Sequence, residues 1–144
     1  MASAPQVLPS NQGWRGFSVY PINFLALAPG AVANGNIQIQ ADSDFEWIKS
    51  TYQADIAAAA YLSGTRPIPN VTVNIIDGGT SRNLFNAPVP VSSIFGTGEL
   101  PFILNPPWIF KANSNIQIQV QNFDAATTYN VRLAFVGAKI FRAG

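Results

Sequence analysis

The chain of 144 residues contains no cysteine and no histidine, and only 10% of it is charged. Each absence removes a class of function. Without cysteine there are no disulfides, no thiolate nucleophile and no iron–sulfur ligation, and a small disulfide-stapled scaffold is excluded. Without histidine the commonest general base and metal ligand is missing, so a Ser-His-Asp triad, a cupin-type metal site and a histidine-ligated zinc site are all excluded. Neither a Gly-x-Gly-x-x-Gly turn nor a Walker-type phosphate loop occurs.

Charge is scarce in both signs. Eight basic and seven acidic residues give a net charge of +1. The basic residues Arg15, Lys49, Arg66, Arg82, Lys111, Arg132, Lys139 and Arg142 are scattered. They form no stripe that would bind nucleic acid. The carboxylates Asp42, Asp44, Glu46, Asp55, Asp77, Glu99 and Asp124 single out no facing pair of the kind glycoside hydrolysis requires. Asp42-Ser43-Asp44-Phe45-Glu46 places three acidic side chains at alternate positions, but no glycine or distal glutamate completes a calcium loop. That segment is expected to be a loop leading into a strand, with Asp42 and Asp44 solvated. No cofactor and no metal are expected, and the expectation is a non-enzymatic protein.

No uninterrupted apolar run is long enough to cross a membrane. The stretch from Phe17 to Ala33 is broken by Pro21, Asn23 and Pro29, and it reads as a strand region, not as a signal sequence. Use in a cytoplasm fits this composition.

What is present is apolar: 48% of residues are hydrophobic and 12% aromatic, alongside 11 glycines and 11 prolines. With so little charge, much of the surface must be neutral or apolar, which favours self-association. Residues 1–13 are rich in Pro, Ser, Asn and Gln and read as an extended N-terminal arm. Residues 14–144 read as a single domain. From Trp14 onward, apolar runs of strand length alternate with turn residues. Ile37-Gln38-Ile39-Gln40, Val71-Thr72-Val73-Asn74-Ile75 and Ile116 to Gln121 alternate strictly, so each has one apolar and one polar face. Further strands are expected over Gly16–Ala28, Phe45–Tyr52 and Asn130–Phe141. Asp77-Gly78-Gly79-Thr80 is a strong turn signal because it tolerates positive φ. Ala57-Ala58-Ala59-Ala60 favours helix, yet the surrounding 53–62 segment reads as extended or irregular with at most a helical turn. Prolines at 88, 90, 101, 106 and 107 restrict residues 86–110 to short or edge strands. Asn34-Gly35-Asn36-Ile37-Gln38-Ile39-Gln40 is echoed by Asn113-Ser114-Asn115-Ile116-Gln117-Ile118-Gln119, which suggests two strands in similar environments. The expected architecture is all-β: a two-sheet jelly-roll or Greek-key sandwich.

A family resemblance follows from several segments. They are Asp44-Phe45-Glu46-Trp47, Asn70 to Asp77, Arg82-Asn83-Leu84, Pro88-Val89-Pro90, Pro101, Leu104-Asn105-Pro106-Pro107, Asn113-Ser114-Asn115-Ile116 and Leu133 to Lys139. Over residues 44–140 the chain resembles small virion proteins of tailed bacteriophages, in particular capsid decoration (cement) proteins. The four-alanine segment departs from that pattern. The resemblance implies many copies on the outer face of an icosahedral shell, made in the host cytoplasm, bridging major capsid protein subunits, often as homo-oligomers and especially trimers. No nucleic-acid or membrane partner is implied. The expected contacts are Pro5, Val7, Leu8, Pro9 and Trp14 in and beside the arm, and Pro88, Pro90, Pro106, Pro107 and Trp108 in two proline-rich loops, 86–90 and 101–108. An alternative is a glycan-binding module of a head or tail fibre, with Trp108 as its aromatic platform, or a minor tail or connector component.

Overall fold

The computed structural model describes residues 6–7, 14–57, 69–85 and 87–141, and for residues 6, 7 and 14 the backbone alone. Ten strands and one short helix follow the order β1 (Gln6–Val7), β2 (Trp14–Leu27), β3 (Val32–Gln38), β4 (Asp44–Ile56), β5 (Val71–Asp77), β6 (Arg82–Asn83), β7 (Val89–Pro90), α1 (Val91–Ile94), β8 (Phe102–Phe110), β9 (Asn115–Asn122) and β10 (Tyr129–Phe141). Sheet A has the order β1-β2-β10-β4-β8, and sheet B has the order β3-β9-β5-β6, with β7 also pairing β5. All strand pairs are antiparallel.

This order identifies a jelly roll. The chain passes from sheet A to sheet B and back along β2, β3, β4 and β5, and again along β8, β9 and β10. Within each sheet the late strands β10 and β9 insert between early ones, which is the double Greek key that defines the fold.

The alternating segments do as their pattern requires. β5 alternates buried and half-buried residues along its whole length, and β9 buries Ile116, Ile118 and Val120. Their outward partners are Thr72, Asn74, Gln117, Gln119 and Gln121. Opposite them, sheet A contributes Phe24, Phe45, Trp47, Val131, Leu133 and Phe135 to a single core. Its centre is aromatic: Trp47 and Phe135 lie 4.8 Å apart between ring centroids, and Phe95 meets Phe135 edge-on at 5.5 Å. Such offset and edge contacts suit the ring quadrupoles. Phe95 follows α1, and Ser50 Oγ donates to the Ile94 carbonyl at 2.5 Å. The helix and the buried Val91 and Phe95 thereby fill the space beside β4.

β10 crosses β4 at a register break between Val136 and Gly137. A side chain at Gly137 would collide with the Glu46 carbonyl, so the bulge needs glycine there. The Asp77–Thr80 turn ends β5, with the Gly79 N–H donating to Asp77 Oδ1 at 2.9 Å.

Several expectations are refined. β4 runs to Ile56, four residues past the expected end, and a 3₁₀ residue at Ala57 follows; 58–62 lie outside the described residues. The expected strand over Gly16–Ala28 begins at Trp14 and ends at Leu27. Residues 101–108 are not a loop, as expected, but belong largely to the edge strand β8. The reason is local. β8 pairs β4 at Phe102–Ile103 and at Trp108–Phe110, and Leu104–Pro107 leave the ladder between them. The prolines therefore sit where no ladder donor is required. Asp44 is buried, not solvated: its Oδ1 accepts the Ala112 N–H at 2.8 Å, tying the start of β4 to the β8–β9 turn. The two echo segments turn out to be neighbours, since β3 pairs β9 with Ile37 opposite Ile116.

Candidate interaction surfaces

Cross-strand partners point to the same side of a sheet, so the registers define each outer face. On sheet A, Phe17, Ala138, Glu46 and Ile109 form one row, and Val19, Val136, Lys49 and Ile103 the next. Pro21, Ala134 and Thr51 continue them, and then Asn23, Arg132 and Gln53. The first two rows are apolar at both ends and on β10, with the charged Glu46 and Lys49 on β4. Phe17 is 68% exposed, Ile103 65%, Ile109 45% and Val19 40%. Arg15 reaches over this face to pair with Glu46, and Arg132 pairs with Asp55 at 3.5 Å. The result is an apolar band carried by β2, β10 and β8 and crossed by charge on β4.

Sheet B faces solvent differently. Its rows are Val32, Gln121 and Thr72; Asn34, Gln119 and Asn74; Asn36, Gln117 and Ile76; and Gln38 with Asn115. None of these residues is charged. They line a shallow hollow of about 290 Å³ between Asn34, Asn36, Asn74, Gln117 and Gln119. Asn74 Oδ1 is buried there without a hydrogen-bond partner.

A third feature lies at the β8 edge. Trp47, Leu84, Phe85, Ile94, Phe102, Leu104, Pro106 and Trp108 line an apolar groove of about 210 Å³. Trp108 is half-buried. Its indole N–H donates to Asp77 Oδ2 at 3.1 Å, and the Arg82 guanidinium lies 5.8 Å from the ring centroid. This cation–π contact occupies the neighbourhood of the ring that a sugar platform would offer.

Of the residues expected at contacts, Pro88, Pro90, Pro106 and Pro107 are exposed. Pro90 is in β7 opposite Thr72, and Pro106 follows a cis peptide bond. Val7 pairs with Trp14 in the short β1–β2 ladder. Pro5, Leu8 and Pro9 lie outside the described residues. Pro106 and Trp108 come together at the groove, whereas Pro90 lies in β7 at the edge of sheet B and Pro88 just precedes it. The apolar band on sheet A was missed by the sequence reading. Its signal was present in β2: Phe17 and Val19 alternate with Tyr20, Ile22 and Phe24, so both faces of that strand are apolar.

Most of the carboxylates have structural partners. Besides Asp44, Glu46, Asp55 and Asp77, Asp124 Oδ1 accepts the N–H groups of Ala126 and Thr127 at 2.9 and 2.8 Å, and Tyr129 donates to its Oδ2 at 3.2 Å. The Ala126 and then the Thr127 N–H hold the Asp124 carboxyl below its ordinary pKa. Burial first, and the Asp124 charge second, push the Tyr129 phenol up. Among the described residues no group of three or more Asp, Glu, His or Cys side chains could hold a metal ion. No helix among them is long and apolar enough to cross a membrane.

No family model matches this sequence, and no curated protein does. Among solved structures, the fold is similar to VP2 of infectious bursal disease virus in its subviral particle. The TM-score is 0.34 at 10% identity, and the match covers 88% of this chain. The chain spans 33% of the length of that VP2 chain.

Proposed function

We propose that this protein is a non-catalytic structural component of a virion, carried in many copies on the outer surface of a bacteriophage capsid, where it bridges and stabilises major capsid protein subunits. The observation that carries this reading is the apolar band on sheet A. Exposed Phe17, Val19, Ile103 and Ile109 about the half-buried Val136, on a chain with 10% charged residues, make a surface that gains by being covered. The exposed prolines at 88, 90, 106 and 107 and the N-terminal arm are further candidate contacts with the shell. Repetition of one modest contact over a shell stabilises the whole through multivalency.

Copy number in purified particles tests the reading. Quantitative mass spectrometry should find a copy number comparable to that of the major shell subunit. A handful of copies would instead favour a tail or connector part, and absence from particles would refute the proposal. Addition of the purified protein to particles lacking it should give co-sedimentation, which Phe17→Glu should abolish. Binding that free sugar competes away would favour the fibre-module alternative.

A further inference from the structure

The two sheets have four edges, and three of them are blunted. At one edge of sheet A, β1 covers Trp14 and Arg15 among the described residues, and the rest of the β2 edge is broken by Pro21, which has no N–H, and by the positive φ of Ala26. At the other, β8 loses its ladder at Leu104–Pro107, where Pro106 and Pro107 have no N–H to offer. At the far edge of sheet B, β6 and β7 have two residues each, and β7 ends in Pro90. These are the ordinary devices that keep a sheet from recruiting another strand. β3, the fourth edge, has none of them. It is seven residues long, pairs β9 in unbroken register, and carries no proline and no charged side chain.

The hydrogen-bond phase of β3 is fixed at both ends. The Ile39 N–H donates to the Ser114 carbonyl at 2.8 Å, and the Asn122 N–H donates to the Ala31 carbonyl at 3.0 Å. Odd-numbered residues therefore bond toward β9. The N–H and C=O groups of Val32, Asn34, Asn36 and Gln38 point the other way, toward the open edge.

We propose that this edge pairs with β3 of a second copy of the chain, antiparallel and about a two-fold axis, joining the two B sheets into one. The occupant is argued from the strand's own sequence. On its closed side β3 already accepts β9, whose Asn-Ser-Asn-Ile-Gln-Ile-Gln segment nearly repeats that of β3, in the register that sets Ile37 opposite Ile116. A second β3 offers the same side chains to the open side. A pairing centred on the strand places Asn34 opposite Asn36 of the second copy and Val32 opposite Gln38. It satisfies the outward backbone groups of all four residues, and it extends the rows of amides across the junction, where side-chain amides can bond to one another. No charge opposes another across the axis. The contact is isologous and closes at two copies. It does not depend on the virion reading, since no strand among the described residues pairs with this edge, whatever the domain's role.

Light scattering coupled to size exclusion, at graded concentrations of the full chain, should find a species of twice the 15.4 kDa chain mass. Asn36→Lys should be monomeric at concentrations where the wild type is dimeric, with an unchanged circular dichroism spectrum and melting temperature, because Asn36 is exposed and bonds outward. Asn36→Glu should behave likewise, and mixing the two variants should restore the dimer. Asn36→Pro, which removes a donor only from the open edge, should also be monomeric. A wild type that stays monomeric up to its solubility limit overturns the proposal, as does a dimer or trimer that persists unchanged in the Lys and Glu variants. A monomer here alongside retained particle binding would leave the virion reading standing by itself.

Discussion

Sheet A meets solvent with Phe17, Val19, Val136, Ile103 and Ile109, and sheet B meets it with Asn34, Asn36, Asn74, Gln117 and Gln119. Behind these surfaces the inner faces are alike, both aliphatic or aromatic and both packed into one core. The same sandwich thus presents one surface that gains from losing water and another that hydrogen-bonds to water well and carries no charge. The first is suited to a partner of different chemistry. The second, interrupted at the open β3 edge, is suited to extension by more of itself. What separates the two faces is therefore side-chain choice at outward positions, and stability should be nearly blind to it.

The inner faces give the largest expected effects, and they should be equal for the two sheets. Phe135→Ala in sheet A should cost about 3–5 kcal/mol, and Ile118→Ala in sheet B about 2–5 kcal/mol, as large-to-small changes in a closed core do. Urea denaturation with unchanged m-value would measure both. A cost confined to one sheet would mean that the two halves do not share one cooperative core.

The next test strikes the polar tie between the sheets. Asn122 ends β9 with its side chain fully buried, donating to the Leu27 carbonyl at 3.0 Å and the Thr127 carbonyl at 2.8 Å, while its Oδ1 accepts the Asp124 N–H at 2.9 Å. It thereby links the end of β2 in sheet A to the β9–β10 connection. Asn122→Leu leaves backbone groups without partners and should cost about 1–3 kcal/mol. Loss of amide-exchange protection should be greatest at 122–130.

The contrast between faces also explains which parts of the fold were legible beforehand. Sheet B could be read directly, because Ile-Gln-Ile-Gln and Val-Thr-Val-Asn-Ile put amides outside and aliphatics inside, and period two is then unmistakable. β2 in sheet A could be located but not oriented, since apolar residues occupy both its faces and alternation carries no signal, whereas β10 could be oriented from Val131, Leu133 and Phe135, which share one face and are buried. β8 was misread as a loop because its prolines are real breakers: they leave the ladder while Phe102 and Trp108–Phe110 remain in it. Asp44 was misplaced in solvent because its partner, the Ala112 N–H, lies 68 residues away. The echo of β3 in β9 indicated like environments, but adjacency in the sheet is a property of topology that identity of sequence does not reveal. The contact residues chosen for their prolines are exposed, while the apolar band was overlooked because its members come from three strands far apart in the chain.

On the outer faces the expected effects on stability are small and the effects on binding are not. The double change Phe17→Ser with Ile103→Ser should alter unfolding free energy by no more than about 0.5 kcal/mol per site, as exposed substitutions do. It should nonetheless remove association with particles. Gln119→Ser on sheet B should leave both stability and particle association unchanged. If the sheet B variant were the one that lost particle binding, the assignment of partners to faces would be reversed.

The smallest effect is one of pH, at the turn that carries the chain from sheet B to sheet A. The Asp124 carboxyl is held below its ordinary value, first by the Ala126 N–H and then by the Thr127 N–H. A depressed carboxyl contributes stability that is fully present above the unfolded-state pKa of about 3.9 and is lost as pH falls through the lower folded value. Tyr129 works in the opposite sense. Burial raises its pKa, so its contribution is present below the unfolded value of about 10 and is lost as pH rises through the higher folded value. Asp124→Asn keeps an acceptor for both N–H groups and removes the charge. Its melting temperature should therefore be slightly lower than that of the wild type near neutrality and should converge on it as pH falls below about 4. The same variant should lower the Tyr129 pKa, because the Asp124 charge is one of the causes raising it, and ultraviolet titration of the phenol would detect this. An acid limb identical in the two proteins would mean that the acid sensitivity does not reside at Asp124.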